Sequence, residues 1–187
     1  MKKSIIVLSS MILFGVAFEG CKKGQNDPGI SLHSRDARLT AKWKLTKIES
    51  TDVNGTSATI STTTIITYDG TTFSKGVTTP PLATVTSTGT GTYEMTIDKR
   101  GKISFNETYT PSGGTADITS GEGNWEWLSD SKNRDNILLD GSGNLFNGGL
   151  YAVDRLASKE LVLTYTGKSV DNGVTDTMTD KYTFTKE

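Results

Sequence analysis

The most constraining feature of this sequence is a one-by-one alternation of apolar and polar residues, repeated along residues 36–187. Successive side chains of a β-strand point to opposite faces, so such alternation puts one face on a core and the other in water. The same residues show no long amphipathic pattern of helical period. The sequence therefore predicts an all-β domain. The clearest runs are Trp43 and Leu45; Tyr93, Met95 and Ile97; Ile103 and Phe105; and Leu161, Leu163 and Tyr165.

Turn signals separate these runs. Asx-Gly pairs supply the positive φ values that tight hairpin turns need. No crossover helices lie between the runs, so we expect neighbouring strands to pair antiparallel. We predict eight to ten strands that either close into an up-and-down barrel or stack as two sheets, because both arrangements protect strand edges. The pairs are Asn54-Gly55, Asp69-Gly70, Asp140-Gly141, Asn147-Gly148 and Asn172-Gly173.

Composition argues against several classes of function. Lys and Arg total 20 and Asp and Glu total 21, so the chain lacks the basic excess that nucleic-acid binding usually needs. A single Cys and a single His predict neither a disulfide framework nor a multi-His metal site. His33 falls in a polar segment, where we expect no catalytic role. We predict a protein that is not an enzyme, has no catalytic residue and no metal, and uses no cofactor.

The first residues indicate an exported protein. Met1–Lys3 is basic, and Ile5–Phe18 is an apolar run of 14 residues. A helix needs about 20 residues to span a bilayer, so this run has the length of a signal-peptide core instead. The polar residues that follow Cys21 predict a flexible tether. The predicted divisions are a signal peptide over 1–20, a tether over 21–37 and a barrel domain over 38–187.

The residues around Cys21 resemble the lipobox of bacterial lipoproteins, because a small residue, Gly20, precedes a lone Cys at the end of the apolar run. The resemblance implies acylation of Cys21, including chains such as palmitate, and anchoring in a membrane of the Gram-negative envelope. The periplasmic and the surface-facing orientations both remain open. An ordinary secretory signal with an incidental Cys is the alternative.

The body of the chain resembles lipocalin-like domains of bacterial envelope lipoproteins in three stretches. They are Leu39–Ile48 (LTAKWKLTKI), Tyr151–Tyr165 (YAVDRLASKELVLTY) and Tyr182–Glu187 (YTFTKE). The resemblance implies an up-and-down barrel in which Trp43 closes one end. A β-sandwich with Trp43 as a core aromatic is the alternative.

Residues on the inward phase are the candidate lining of a ligand cavity. We expect the barrel to bind a small hydrophobic or amphipathic ligand, or else to have a filled core and to act as an interaction or structural module that contacts a protein or a glycan. The oligomeric state stays open. The candidate lining residues are Trp43, Leu45, Tyr68, Tyr93, Met95, Phe105, Glu107, Trp125, Trp127, Tyr151, Leu163, Tyr182 and Phe184.

Three charged residues share the inward phase: Glu107, Lys47 and Arg155. Each either anchors a polar end of a ligand or lies near a strand end where the phase no longer matters, which is the favoured interpretation. A hydrolase with paired carboxylates is a third function, and it requires a second carboxylate in the pocket of Glu107. The segment 140–144 has oxygen ligands at alternate positions, as calcium loops do, but a hairpin loop is favoured there.

Overall fold

The computed structural model describes residues 26–27, 33–55, 61–128, 134–140, 143–171 and 173–187. Within them, one short helix precedes ten strands. The helix, α1, spans Arg35–Leu39, and the side-chain oxygen of its N-cap residue Ser34 accepts a hydrogen bond from the Ala37 N–H at 3.2 Å. No helix of the described residues is long and apolar enough to cross a membrane. The strands are β1 Ala41–Gly55, β2 Ser61–Tyr68, β3 Thr72–Thr78, β4 Val85–Ile97, β5 Lys102–Pro111, β6 Asp117–Trp127, β7 Asn136–Leu139, β8 Gly149–Leu156, β9 Glu160–Asp171 and β10 Val174–Lys186.

The ten strands form one closed antiparallel barrel. Each strand pairs with its neighbour in the sequence, and β1 pairs with β10 to close the ring. The turn between β2 and β3 shows the predicted chemistry, because Gly70 has φ +96 and the Asp69 carboxylate accepts hydrogen bonds from the N–H groups of Thr71 and Thr72. This architecture confirms the predicted up-and-down barrel and excludes the stacked-sheet alternative.

The two ends of the barrel differ because β1 changes partners along its length. Residues Ala41 to Lys44 pair directly with β4, whereas Ile48 to Gly55 pair with β2. The β2–β3 hairpin is thus inserted between β1 and β4 toward one end only. We call the end with the direct β1–β4 pairing the narrow end, and the end with the inserted hairpin the wide end.

Two irregularities shift the inward phase of the strands. The register between β1 and β10 slips between Leu45 and Lys47, and the register between β8 and β9 slips between Val153 and Arg155. An extra residue in one strand reverses the facing of everything after it. Ile48 and Leu156 are consequently buried, whereas Lys47 and Arg155 are half-exposed and form ion pairs with Glu49 and Glu160. The expectation that Lys47 and Arg155 share the phase of the core was therefore wrong.

Trp43 and α1 close the narrow end. Trp43 is fully buried, and its Nε1 donates a hydrogen bond to the carbonyl oxygen of Leu39 at 2.7 Å. This bond satisfies both the indole N–H and an otherwise unpaired carbonyl at the end of the helix. Leu39 is itself fully buried, so the helix contributes to the core.

A buried ionic cluster joins the N-terminal segment to the narrow end. Asp27 lies 3.0 Å from the Arg38 Nη2 and 3.4 Å from the Arg35 Nε, and its other oxygen accepts the Leu156 N–H at 2.7 Å. All three ionic side chains are at least nine-tenths buried. Residues 26–27 and 33–37 belong to the segment predicted as a flexible tether, yet Asp27 and Arg35 are packed against the barrel.

We expect Asp27→Ala to lower the free energy of unfolding by about 3–5 kcal/mol, because it leaves two buried guanidinium groups without their shared carboxylate. Denaturant unfolding followed by tryptophan fluorescence measures this loss. The control, Glu126→Ala, removes an exposed carboxylate on β6, and we expect it to change the free energy of unfolding by less than about 0.5 kcal/mol. A loss for Asp27→Ala no larger than that of the control would contradict the stabilising role of the cluster.

Candidate functional site

The barrel interior divides into an apolar part toward the narrow end and a polar part toward the wide end. Most of the predicted lining residues lie in the apolar part, where they contact one another as a buried core. Trp125 and Trp127 are set apart from the centre. Their indole N–H groups donate to the Asp98 carbonyl and the Asp36 carboxylate, close to α1. The buried core members are Trp43, Leu45, Tyr68, Tyr93, Met95, Phe105, Tyr151, Leu163, Tyr182 and Phe184.

A loop segment fills the centre of the barrel. Residues 143–146, between β7 and β8, turn inward, and we call them the plug. Leu145 and Phe146 are buried within the core. The Phe146 ring lies 5.4 Å from the ring of Tyr93, 5.4 Å from that of Tyr151 and 4.9 Å from that of Tyr182. The apolar part of the barrel is thus packed around a residue that no strand supplies.

Glu107 holds the plug in place. Its Oε1 accepts a hydrogen bond from the Asn144 N–H at 2.9 Å, and its Oε2 accepts one from the Leu145 N–H at 3.0 Å. Glu107 is 1% exposed. Of the two interpretations offered for this residue, the inward one is correct, but its partner in the structure is the main chain of the plug.

Two glycines allow this close packing. A Cβ on Gly143 would overlap the Oε2 of Glu107, and a Cβ on Gly91 would overlap the Thr108 carbonyl and lie 3.2 Å from Leu145. The plug is completed by a hydrogen bond from the Gly143 N–H to the Phe146 carbonyl at 2.7 Å. The predicted hairpin loop over 140–144 is therefore anchored inside the barrel where the structure describes it.

The polar part of the interior carries three inward carboxylates. Asp176 and Asp180 follow the phase of Tyr182 and Phe184 on β10, and Asp52 lies beside them on β1. No N–H or hydroxyl group among the described residues donates to the buried Oδ1 atoms of Asp52 and Asp176, but the two carboxyl groups hydrogen-bond each other when one of them is protonated. Two acceptor atoms side by side repel each other unless a proton, a cation or a hydrogen-bond donor of a ligand lies between them. We call Asp52, Asp176 and Asp180 the carboxylate trio.

The trio places unfavourable negative charge close together. Burial raises the pKa of Asp52, and so do the neighbouring Asp176 and Asp180, while Lys75 on β3 lowers it. Asp180 is 8% exposed and accepts a hydrogen bond from the Tyr182 hydroxyl. No group of three or more His, Cys, Asp or Glu residues in the described part of the chain has the arrangement of a metal site.

Tyrosine hydroxyls line the boundary between the two parts. Burial raises the pKa values of Tyr93, Tyr151 and Tyr182, and it raises that of Tyr68 to about 12. These phenols stay protonated near neutral pH, so they act as hydrogen-bond donors and acceptors rather than as bases. The hydroxyls of Tyr68 and Tyr151 donate to the carbonyls of Gly91 and Asn147, and that of Tyr182 donates to Asp180.

Comparison of the chain with protein-family models, curated proteins and solved structures gives no match. The site is therefore defined by its geometry, and the lipocalin-like resemblance stays a prediction. Cys21 lies outside the described residues.

Sequence reasoning missed the plug and the trio for different reasons. Leu145 and Phe146 stand as an apolar pair inside a Gly- and Asn-rich stretch, which is a readable signal. Asp176 and Asp180 alternate in step with Phe184 along β10, so their inward facing was predictable from the sequence. The inward facing of Asp52 was not predictable, because the bulge after Leu45 reverses the facing that alternation gives it.

We expect Asp52→Asn to stabilise the protein at pH 7.5 by about 1 kcal/mol, since the amide donates a hydrogen bond where two carboxylates now face each other. The sign follows from linkage: a carboxyl whose pKa is raised on folding leaves the native state most stable at low pH, and stability is lost as the pH rises through that pKa. The gain from Asp52→Asn should therefore shrink as the pH falls below the raised pKa. Urea unfolding at a series of pH values from 7.5 to 4 measures it.

Asp171→Asn serves as the control, because Asp171 is exposed at the end of β9. An equal, pH-independent effect of both substitutions would argue against charge repulsion within the trio.

Proposed function

We propose that this chain is a lipid-anchored envelope protein whose barrel binds a small amphipathic molecule through its wide end. The observation that carries the proposal is the division of the interior. An apolar, aromatic part lies next to a part lined by the carboxylate trio, within one barrel. An amphipathic molecule is the ligand class that matches both parts at once.

The charges of the wide part indicate the head group of that molecule. The three carboxylates of the trio lie close together, and Lys75, an exposed cation on β3, lowers the pKa of Asp52. No N–H or hydroxyl group among the described residues donates to two of their buried oxygens. A head group that donates hydrogen bonds or carries positive charge compensates these oxygens, whereas an anionic head group is repelled.

The N-terminal segment supports an orientation for the anchored protein. Asn26 donates a hydrogen bond to Asp154, and Asp27 is buried next to Leu156, so the chain reaches the barrel near its narrow end. Four residues lie between Cys21 and Asn26, so the two are five steps apart along the chain, a span of at most about 18 Å. An acylated Cys21 thus keeps the narrow end near the membrane, and the wide end points away from it.

Native mass spectrometry of the full chain, purified in mild detergent from the envelope fraction, tests ligand binding. We expect a retained small molecule whose occupancy falls about tenfold in Asp180→Asn, because one partner of the head group loses its charge. The control, Glu126→Gln on the outer face, should keep the molecule. Wild-type protein that is always empty would overturn the proposal.

Substitution of Cys21 tests the anchor. We expect Cys21→Ala to move the protein from the membrane to the soluble fraction, since each buried acyl CH₂ contributes about 0.8 kcal/mol to membrane binding. Fractionation and immunoblotting measure the distribution, and Lys23→Ala is the control that should stay bound. Unchanged membrane association of Cys21→Ala would contradict lipidation at this residue.

An interaction module is the second candidate, and one observation favours it. Phe146 already fills the centre of the apolar part. Large apolar side chains are exposed near the wide end, with Val85 and Ile118 each 72% exposed and Val170 65% exposed. Under this alternative the wide rim contacts a protein or a glycan, and the mass spectrum shows an empty barrel.

A further inference from the structure

Glu107 is a buried carboxyl group with an unusual set of partners. Its two oxygens accept hydrogen bonds only from main-chain N–H groups of the plug, and none of the ion pairs among the described residues includes it. A buried carboxylate is costly unless a cation or several donors compensate it. The apolar part of the barrel thus contains a carboxyl group that forms no ion pair among the described residues and accepts only main-chain hydrogen bonds.

The buried hydroxyl group of Tyr93 lies at the same place. It faces Glu107 directly across the β4–β5 pair, and both side chains point inward. Tyr93 is fully buried, and its hydroxyl has no hydrogen-bond partner among the described residues. Buried hydroxyls are nearly always bonded in native proteins, so this one marks a position where a partner is missing.

The plug presents the chemical features of a ligand for this place. It supplies one aromatic ring, held among Tyr93, Tyr151, Tyr182 and Phe184, and two N–H donors at 2.9 and 3.0 Å from the carboxylate. It supplies no charge and no partner for the Tyr93 hydroxyl. A small molecule with a ring and an ammonium group meets each of these needs.

We propose that the plug occupies a binding site for an aromatic amine, which displaces Phe146 with its ring and the Asn144 and Leu145 N–H groups with its ammonium. The inference rests on the proposed function and names the class of ligand. The ammonium pairs with Glu107, and the carboxylate trio also attracts its positive charge. Binding requires that the plug leave the barrel.

The test uses 2-phenylethylamine with the full chain in neutral detergent. We expect binding by calorimetry, together with faster hydrogen exchange of the Asn144 and Leu145 amides, because these amides lose their acceptor. We expect no such release by toluene, which has the ring without the donor. Binding of 2-phenylethylamine with both amides still protected, or no binding, would overturn the inference.

Two substitutions test the role of the Glu107 charge and the displacement of the plug separately. Glu107→Gln should weaken 2-phenylethylamine about tenfold, the equivalent of one charge-assisted hydrogen bond, and leave the neutral 2-phenylethanol unchanged. In Gly143→Ala the added Cβ overlaps Glu107 and weakens the contact between Glu107 and the plug. We therefore expect the affinity for 2-phenylethylamine to rise about fivefold, because displacing the plug costs less free energy. Its control, Gly76→Ala, meets only an ordinary contact with Thr84 and should have no effect.

The outcomes distinguish this inference from the proposed function. A chain that retains an envelope molecule but keeps both amides protected in 2-phenylethylamine overturns the aromatic-amine site alone. Should Glu107→Gln fail to fold, the exchange measurement on the wild type and the Gly143→Ala titration still decide. Equal affinities of Gly143→Ala and wild type would also count against displacement of the plug.

Discussion

The long pairing of β1 with β10 closes the sheet, and the other features of the interior depend on that closure. The register runs from Trp43 opposite Lys186 to Gly55 opposite Thr175, so the first and last strands of the barrel are joined over nearly their whole length. Closure removes the exposed edges of a ten-stranded sheet. It also forces every inward side chain to share one enclosed space, which must then be filled, hydrated or occupied by a ligand.

This barrel meets that requirement differently in its two parts. Near the narrow end, Trp43 and α1 form the floor, and Phe146 enters from a loop to complete the aromatic packing. Near the wide end, the inserted β2–β3 hairpin adds two strands, and the carboxylate trio lies in the same part of the barrel as the partly buried Ile66, Phe73 and Tyr109.

The charged groups in the barrel interior lower the stability of the folded protein. Among the described residues, no N–H or hydroxyl group donates to the Oδ1 atoms of Asp52 and Asp176, and the Tyr93 hydroxyl beside the buried Glu107 has no hydrogen-bond partner. A structure selected for stability alone would replace such groups with apolar ones or pair them with cations. Under the proposed function, a bound ligand compensates these groups.

Much of the fold was accessible from the sequence. Alternation in runs such as Tyr93, Met95 and Ile97 identified strands and their inward faces, and the Asx-Gly pairs located turns, since both signals are local. The inward position of Glu107 was also visible from its phase with Ile103 and Phe105. The errors at Lys47 and Arg155 have one cause, because a bulge is set by the pairing between strands and leaves no mark in either strand alone.

The sequence by itself determined that this chain forms antiparallel strands with one apolar face, because that property depends only on neighbouring residues. Tertiary structure alone decided that Glu107 meets the main chain of a loop 37 residues away, and that the side chain of Asp52 on β1 interacts with that of Asp176 on β10. Those contacts depend on the closure of the ring and on its bulges, which bring together groups that no local pattern connects.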